Sequence, residues 1–321
     1  MGNTSPLVSI IINNYNYGSF LGQAIDSALD QNYKNVEVIV VDDGSQDNSR
    51  SIISSYGNRI IPVLKENGGQ ASAFNAGFSN SSGDIICFLD ADDLVFQNRA
   101  EQVVRLFTTY PEIEWFFHES APIDSENIAQ ITLSNIQAKH PKSSEETHFE
   151  IIDFRDNLRN AVLPHFAPST SNLCFTRTLL NKFFPLPEVK GHSGLAICDV
   201  YLRTVAVWLG IGIKSEEYLG VFRFHESNLY TTQGITKKRR TYCEILLFTA
   251  YYLLLNYPEL SRLGQKLLSK GICLHWNVRN NNFNYDNIIS KSQSKMSYLV
   301  RSSLYIRATL YSMKLKFSDL V

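Results

Sequence analysis

The sequence predicts an α/β fold: a mostly parallel sheet flanked by helices, with a helical extension at the C-terminus. Three observations carry this expectation. Short apolar, β-branched runs recur through residues 1–118, each closed by a polar or acidic cluster. Apolar residues with helical spacing fill the stretches between those runs. Residues 240–320 read as mostly helical, with basic residues interleaved among aromatics and leucines. Repeated strand–helix units argue for a parallel sheet covered by helices on both faces.

The elements follow in order. Leu7 to Ile12 is a continuous apolar run, as a buried parallel strand requires. Phe20, Leu21, Ala24, Ile25, Ala28 and Leu29 then recur with helical spacing. Val36 to Val41 is the second strand, ending at Asp42-Asp43-Gly44-Ser45. A helix from Asp47 to Tyr56 follows, with Asp47 or Ser45 as its cap. Arg59 to Leu64 is a weaker third strand, which Pro62 confines to an edge or an end. Gly69 to Phe78 is helical, and Ile85 to Leu89 is the fourth strand, ending at Asp90-Ala91-Asp92-Asp93. A helix over Glu101–Tyr110 and a strand over Ile113–Phe117 complete the series. Residues 119–160 read as a polar, irregular excursion, and a helix resumes over Asp199–Leu209. There is no internal repeat.

At roughly 150 residues per domain, 321 residues make one large domain or two modest ones. With 44% hydrophobic and 19% charged residues, the composition is globular and excludes a disordered tail, a coiled coil and a collagen-like rod. The net charge of −1 hides an asymmetry. Residues 1–229 hold 16 Lys+Arg against 27 Asp+Glu, a balance of −11; residues 230–321 hold 14 against 4, a balance of +10. Such a split points to two jobs in one chain. The five cysteines are scattered and form no CxxC pair, which argues against structural zinc and for a reducing compartment. The N-terminus has neither a basic start nor a long apolar run, so no secretory signal is expected. Met1-Gly2 followed by Ser5 matches a myristoylation start only loosely. The strongest apolar run, Ile245–Leu255, falls short of the roughly 20 residues that span a bilayer.

In parallel α/β sheets, ligands bind outside the carboxyl ends of the strands. The polar clusters Asn13–Asn16, Asp42–Ser45 and Asp90–Asp93 fall at those ends. No GxGxxG follows the first strand and no GxxxxGK[ST] occurs, so a glycine loop is not expected to hold phosphate. The alternative is a divalent metal, Mn²⁺ or Mg²⁺, bridging carboxylates and phosphate oxygens. Asp90 and Asp92 point the same way if the chain stays extended past the strand. One would bind metal and the other a ribose hydroxyl; the competing reading is a solvated acidic turn.

These motifs resemble those of family 2 glycosyltransferases, which have the glycosyltransferase-A fold. The resemblance covers residues 6–110 closely, through Val8–Asn16, Val40–Ser45, Asn67-Gly68-Gly69-Gln70 with Asn75-Ala76-Gly77, and Gly83–Asp93, and extends loosely to Asn228. It implies a catalytic domain over 1–229 and a basic helical region over 230–321. Asn13 and Tyr15 would contact the nucleobase, with Tyr15 stacking on it. Asp43 would accept a base N–H, which favours uracil or thymine, although Asp42 and Asp43 also suit a turn before Gly44. Gly69 and Asn75 would lie along the donor's ribose or sugar, or Gly68-Gly69 would simply open a helix. Asp90 would hold ribose and Asp92 the metal, with Asp93 in support. Asp199 would be the catalytic base; Cys198 stands before it where the family usually has Glu, and the rival reading of Asp199 is a helix cap. Arg203, at i+4, is placed to pair with Asp199. Phe222–Asn228 resembles a further family segment, making His225 a metal ligand or a diphosphate contact. Arg223 would neutralise phosphate or form a surface ion pair.

The implied reaction is transfer of a sugar, with inversion, from a nucleotide-sugar donor to a hydroxyl of a surface glycan or lipid-linked glycan acceptor. The alternatives are a degenerate binder of sugar nucleotide or glycan, and a nucleotidyltransferase, whose glycine- and arginine-rich loop is missing from Asn13–Gly18. Lys237–Arg240 precedes the apolar run Ile245–Leu255, and Arg301, Arg307, Lys314 and Lys316 lie among Leu, Ile and Tyr. Basic helices of this kind suit an anionic membrane surface; the other reading is a helical cap complementing the acidic body. No nucleic-acid partner is expected, since no binding motif accompanies the charge. The expected location is the cytoplasm or the inner face of the cell membrane.

Overall fold

A computed structural model describes residues 5–124, 133–139, 150–226, 228, 234–278 and 285–314. Most of the loose myristoylation match, residues 140–149 of the polar excursion, and Lys316 lie outside these. The described residues form two compact units. One draws on segments 1–153, 166–188 and 202–227, the other on 154–165, 189–201 and 228–321.

The first unit is a sheet with helices on both faces. Its parallel half alternates β1 (Val8–Asn14), α1 (Gly18–Leu29), β2 (Val36–Asp43), α2 (Ser49–Ser55), β3 (Ile61–Lys65), α3 (Gln70–Ser79) and β4 (Ile85–Asp90). β3, β2, β1 and β4 lie side by side and all run parallel. The side-chain period of two divides β1 between the two helical layers. Val8, Ile10 and Ile12 enter one core with Leu21 and Ile25 of α1. Ile11 faces α3 on the other side, where a Cβ on Gly77 would stand 2.3 Å from Ile11 Cγ2. Only glycine lets α3 approach β1 and β2 so closely.

The other half of the sheet is mixed. It contains β5 (Leu94–Val95), β6 (Trp115–Asp124), β7 (Glu150–Ile152), β8 (Leu173–Thr176) and β9 (Gly212–Phe224). The strand order among the described residues is β3-β2-β1-β4-β8-β6-β9-β5, with β7 on β9. β8 is antiparallel to β4 and β6, β6 is parallel to β9, and β5 and β7 are antiparallel to β9. Helices α4 (Arg99–Thr109), α5 (Leu133–Lys139), α7 (Arg177–Leu180) and α8 (Asp199–Leu209) accompany these strands in sequence, with α6 (Arg155–Arg159) between β7 and β8.

The parallel half is as the sequence predicts, with small shifts. The helix expected from Asp47 starts at Ser49, and the Asp47 carboxylate accepts the Ser49 N–H at 3.0 Å. β6 continues to Asp124, into the segment expected to be irregular. β8 and β9 have no counterpart among the expected elements. β8 is four residues long, too short to show a period. β9 carries Lys214, Ser215, Glu216 and Glu217 in its middle and reads as polar. The buried Glu217 is accommodated by Gln102 of α4, whose amide donates to both carboxylate oxygens at 3.1 Å.

In the second unit, α9 (Ile235–Asn256), α10 (Ser261–Val278), α11 (Asp286–Gln293) and α12 (Tyr298–Lys314) form a helical group, as expected for 240–320. Leu247, Leu253, Leu263, Leu268, Ile272 and Leu304 are fully buried there. A Cβ on Gly271 would come within 2.6 Å of Leu247 Cδ2, so α9 and α10 pack closely at that point. Glu244 is buried on α9 and accepts the Ser193 N–H at 2.7 Å and the Tyr285 hydroxyl at 3.3 Å. Those donors replace the water it gives up on burial. No helix among the described residues is long and apolar enough to cross a membrane.

Candidate functional site

Parallel pairing brings three strand ends of the first unit together. Asn14 of β1 lies opposite Asp42 of β2, and Asn13 lies opposite Asp90 of β4. Side-chain bonds join the same pairs: Asn13 Nδ2 donates to Asp90 Oδ1 at 2.8 Å, and Asn14 Nδ2 to Asp42 Oδ1 at 3.0 Å. The asparagines thus supply two of the donors that let carboxylates crowd at one edge.

After Asp90 the chain does not stay extended. It turns, and the Asp93 N–H donates to the Asp90 carbonyl at 3.1 Å. The convergence expected from strand alternation is instead produced by this turn. Oxygens of Asp90, Asp92 and Asp93 all lie within 4.8 Å of one another. Asp93 is buried and accepts from the Ser171 hydroxyl at 2.6 Å and the Arg223 N–H at 3.0 Å. Burial, then the neighbouring Asp92 and Asp90, push its carboxyl well above the ordinary aspartate range. Asp90 and Asp92 are only partly buried. Oxygen donors in this density suit Mg²⁺ or Mn²⁺. With Asp93 already bound inside the protein, Asp90 and Asp92 fit such an ion best.

His225 joins the cluster from the chain just after β9. Its Nε2 lies 3.0 Å from Asp92 Oδ2. The imidazole packs against Phe20, at 4.4 Å between ring centroids, and Tyr17, at 5.7 Å. Arg223 is buried, so the surface ion pair is excluded. Its Nη1 donates to Gln23 at 2.6 Å, and its guanidinium lies over the Phe20 ring at 4.9 Å. Burial lowers the Arg223 pKa, while Asp92 and Asp93 oppose that effect.

The β2 end is organised differently. Asp42 accepts from Arg50 Nε at 2.8 Å and the Ser45 N–H at 3.2 Å, besides Asn14. Asp43 accepts from Lys65 Nζ at 2.6 Å, the Gly69 N–H at 2.8 Å, the Gly68 N–H at 3.0 Å and the Asn67 amide. Both carboxylates therefore hold turns, and Asp43 draws the 65–69 loop over the strand ends. Gly44 and Gly69 take φ values of 79° and 85°, which side chains resist. A Cβ on Gly44 would also stand 2.6 Å from the Asn67 nitrogen. A cavity of about 560 Å³ opens beside these loops, lined by Gly44, Ser45, Arg50, Leu64, Lys65 and Asn67 among others. The acidic cluster is not part of its wall.

The remaining expected residues fall as follows. Tyr15 is about half exposed just past β1. Asn75 of α3 donates to the Leu186 carbonyl at 2.9 Å and to Glu188 at 3.0 Å, and accepts the Leu186 N–H at 2.7 Å. It secures the 186–188 segment. Asp199 is the first residue of α8, and Arg203 Nη1 donates to the Pro168 carbonyl at 2.9 Å. Two residues of the site were not anticipated. Ser171 bonds Asp93 and also accepts the Asp90 N–H at 3.1 Å. Tyr17 lies beside the cluster, where burial and then Asp92, Asp90 and Asp93 raise its phenol pKa. Ser171 sits in no motif, and Tyr17 was overshadowed by Tyr15.

Residues 9–166 match the family model for glycosyl transferase family 2. An uncharacterized glycosyltransferase of Nostoc sp. is 34% identical over 225 residues, covering 69% of this chain and 66% of that protein. One from Rickettsia typhi is 49% identical over 102 residues, 32% of each chain. The matched part thus spans about two thirds of the first relative and about a third of the second. Among solved structures, S. aureus TarS 1–349 in complex with UDP-GlcNAc has a TM-score of 0.55 at 16% identity, covering 94% of this chain and 79% of that one. Mannosyltransferase PcManGT from Pyrobaculum calidifontis, in complex with GDP-Man and Mn²⁺, has a TM-score of 0.50 at 15% identity, covering 99% and 89%. At such identities these structures speak for the fold alone. The strand-end motifs, the sheet that gathers them and the sequence matches together establish that the chain belongs to glycosyl transferase family 2 and has the glycosyltransferase-A fold.

Proposed function

We propose that the protein transfers a sugar from a nucleoside-diphosphate sugar to an acceptor hydroxyl, with inversion at the anomeric carbon. The observation that carries this reading is the Asp90–Asp92–Asp93 cluster at the carboxyl ends of parallel strands, with Asn13 bonded to Asp90 and His225 to Asp92. Asp92 and His225 would hold a divalent cation, with Asp90 shared between it and the donor's ribose. When bound there, Mn²⁺ or Mg²⁺ offsets charge on the diphosphate, the Lewis-acid role.

Asp199 takes the acceptor hydroxyl proton as general base. The new bond forms from the acceptor oxygen to the anomeric carbon as the bond to the diphosphate oxygen breaks. Asn13, Tyr15, Asp43 and Gly69 contact the nucleoside, and Asn75 acts by securing the 186–188 segment beside the donor. Asp43 already accepts several protein donors, so a base N–H shares an oxygen with them; this arrangement still favours uracil or thymine. Complexes of TarS with UDP-GlcNAc and of PcManGT with GDP-Man and Mn²⁺ support a nucleotide-sugar donor and a metal without choosing the base. The catalytic part is assigned to residues 1–229, the acceptor to surface or lipid-linked glycans, and the working site to the cytoplasm.

The test is a thermal-shift screen of UDP-, dTDP- and GDP-sugars with and without Mn²⁺, followed by assay of nucleoside diphosphate release. Stabilisation by a UDP- or dTDP-sugar that needs Mn²⁺, with release in the presence of acceptor, is expected. Stabilisation by GDP-sugars alone overturns the Asp43 reading. Binding without release with any acceptor offered makes the protein a binder.

A further inference from the structure

Helix α12 is apolar on two sides. Leu304 and Ala308 are buried on its inner side. On the outer side, Tyr298, Leu299, Ile306 and Met313 are 82%, 79%, 61% and 77% exposed, and Leu310 is about half exposed. Positions 299, 306, 310 and 313 fall on one face of a helix, so these side chains form a stripe along a rod about 25 Å long. Tyr305 borders the stripe and stacks on Trp276 of α10, with 6.2 Å between ring centroids and 18° between ring planes. Both rings are partly exposed. A helix of this kind gains little from water on its outer face, and a second surface is the natural cover.

Charge selects the cover. Residues 287–314 contain five basic residues and no acidic one. Lys291, Lys295 and Arg301 are exposed. Residues 230–321 as a whole carry +10. A second copy of the chain would set one such region against another and be repelled, whereas an anionic lipid surface attracts it. Apolar side chains flanked by cations and half-exposed aromatic rings are what a helix lying in the headgroup region uses.

We propose that the outer face of α12, with Trp276 at its border, docks on an anionic membrane surface. Leu299, Ile306, Leu310 and Met313 enter the headgroup–acyl boundary, and Lys291 and Lys295 meet lipid phosphates. The helix lies on the membrane and does not cross it. This inference stands independently of the proposed transfer reaction.

The experiment is co-sedimentation of the full chain with vesicles of equal parts phosphatidylglycerol and phosphatidylcholine, and with vesicles of phosphatidylcholine alone. Binding to the anionic vesicles that falls at high salt is expected. Ile306→Glu with Met313→Glu should weaken it about tenfold or more. Lys291→Gln with Lys295→Gln should weaken it less and flatten the salt dependence. Unchanged melting curves of both variants show that folding is intact. Failure to bind anionic vesicles, equal binding to phosphatidylcholine alone, or undiminished binding by the Glu variant overturns the proposal. A dimer in lipid-free buffer that the Glu variant disperses also overturns it, because the stripe is then an interface between copies.

Discussion

In the first unit, Asp42, Asp43 and Asp93 lie buried, and each carboxylate is met by donors from identified partners. In the second, Lys291 and Lys295 stand exposed in the chain just before α12, whose outer face carries an apolar stripe. The first arrangement fixes geometry, because a buried acid without a donor is costly. The second supplies field and contact area, and no single position in it is indispensable. The acid excess of residues 1–229 (−11) thus includes a few carboxylates with fixed partners, whereas the base excess of residues 230–321 (+10) includes charges left at the surface.

The largest expected effect is at Asp199, proposed above as the general base. Asp199→Asn should lower kcat by roughly 10²–10⁴-fold, the usual worth of a general base, and leave donor affinity intact. Steady-state transfer assays with donor titration check this. Normal transfer by the variant overturns the general-base assignment and leaves Asp199 the role of opening α8.

Asp92→Asn probes the first unit at its centre. It removes one cluster oxygen and the His225 partner. Loss of metal assistance amounts to about 3 kcal/mol, or roughly a hundredfold in transfer. Mn²⁺-dependent stabilisation by donor should vanish with it. Retention of that stabilisation would move the metal site elsewhere.

Ser171→Ala should have a smaller effect of another kind. The hydroxyl donates to Asp93 and accepts from the Asp90 N–H, so its loss leaves two groups at the site short of a partner. A stability loss of about 1–3 kcal/mol is expected from chemical denaturation, together with weaker Mn²⁺ binding by calorimetry. Wild-type values on both counts would show that the cluster holds its shape without Ser171.

Ser171 also separates what is legible in the sequence from what is not. β1, β2 and β4 were legible because strands buried on both faces are continuous apolar runs, and their terminal acids drew attention to one edge. What holds those acids was not legible. Ser171 reaches Asp93 from 78 positions away and lies in a three-residue 3₁₀ turn, Thr170–Asn172, too short to show a period. Asp43 could be placed at a strand end, but the four donors that occupy it come from a loop whose course depends on the φ values of Gly44 and Gly69. β9 escaped notice because Lys214–Glu217 break its apolar pattern, and Gln102, from α4, is what makes Glu217 tolerable inside. Position along a strand is a local property, whereas satisfaction of a buried polar group is a long-range one.

The smallest expected effect comes from the second unit, and it is informative because it is small. Ile306 projects into solvent at 61% exposure. Ile306→Glu should change folding stability by no more than about 0.5 kcal/mol, as surface substitutions generally do. Leu304→Ala, two residues away on the buried side, should cost roughly 2–5 kcal/mol through the cavity it leaves. Urea denaturation of the two variants measures the contrast directly. A large loss for Ile306→Glu would mean that the outer face of α12 packs against protein in solution, and the surface would have to be reassigned as core.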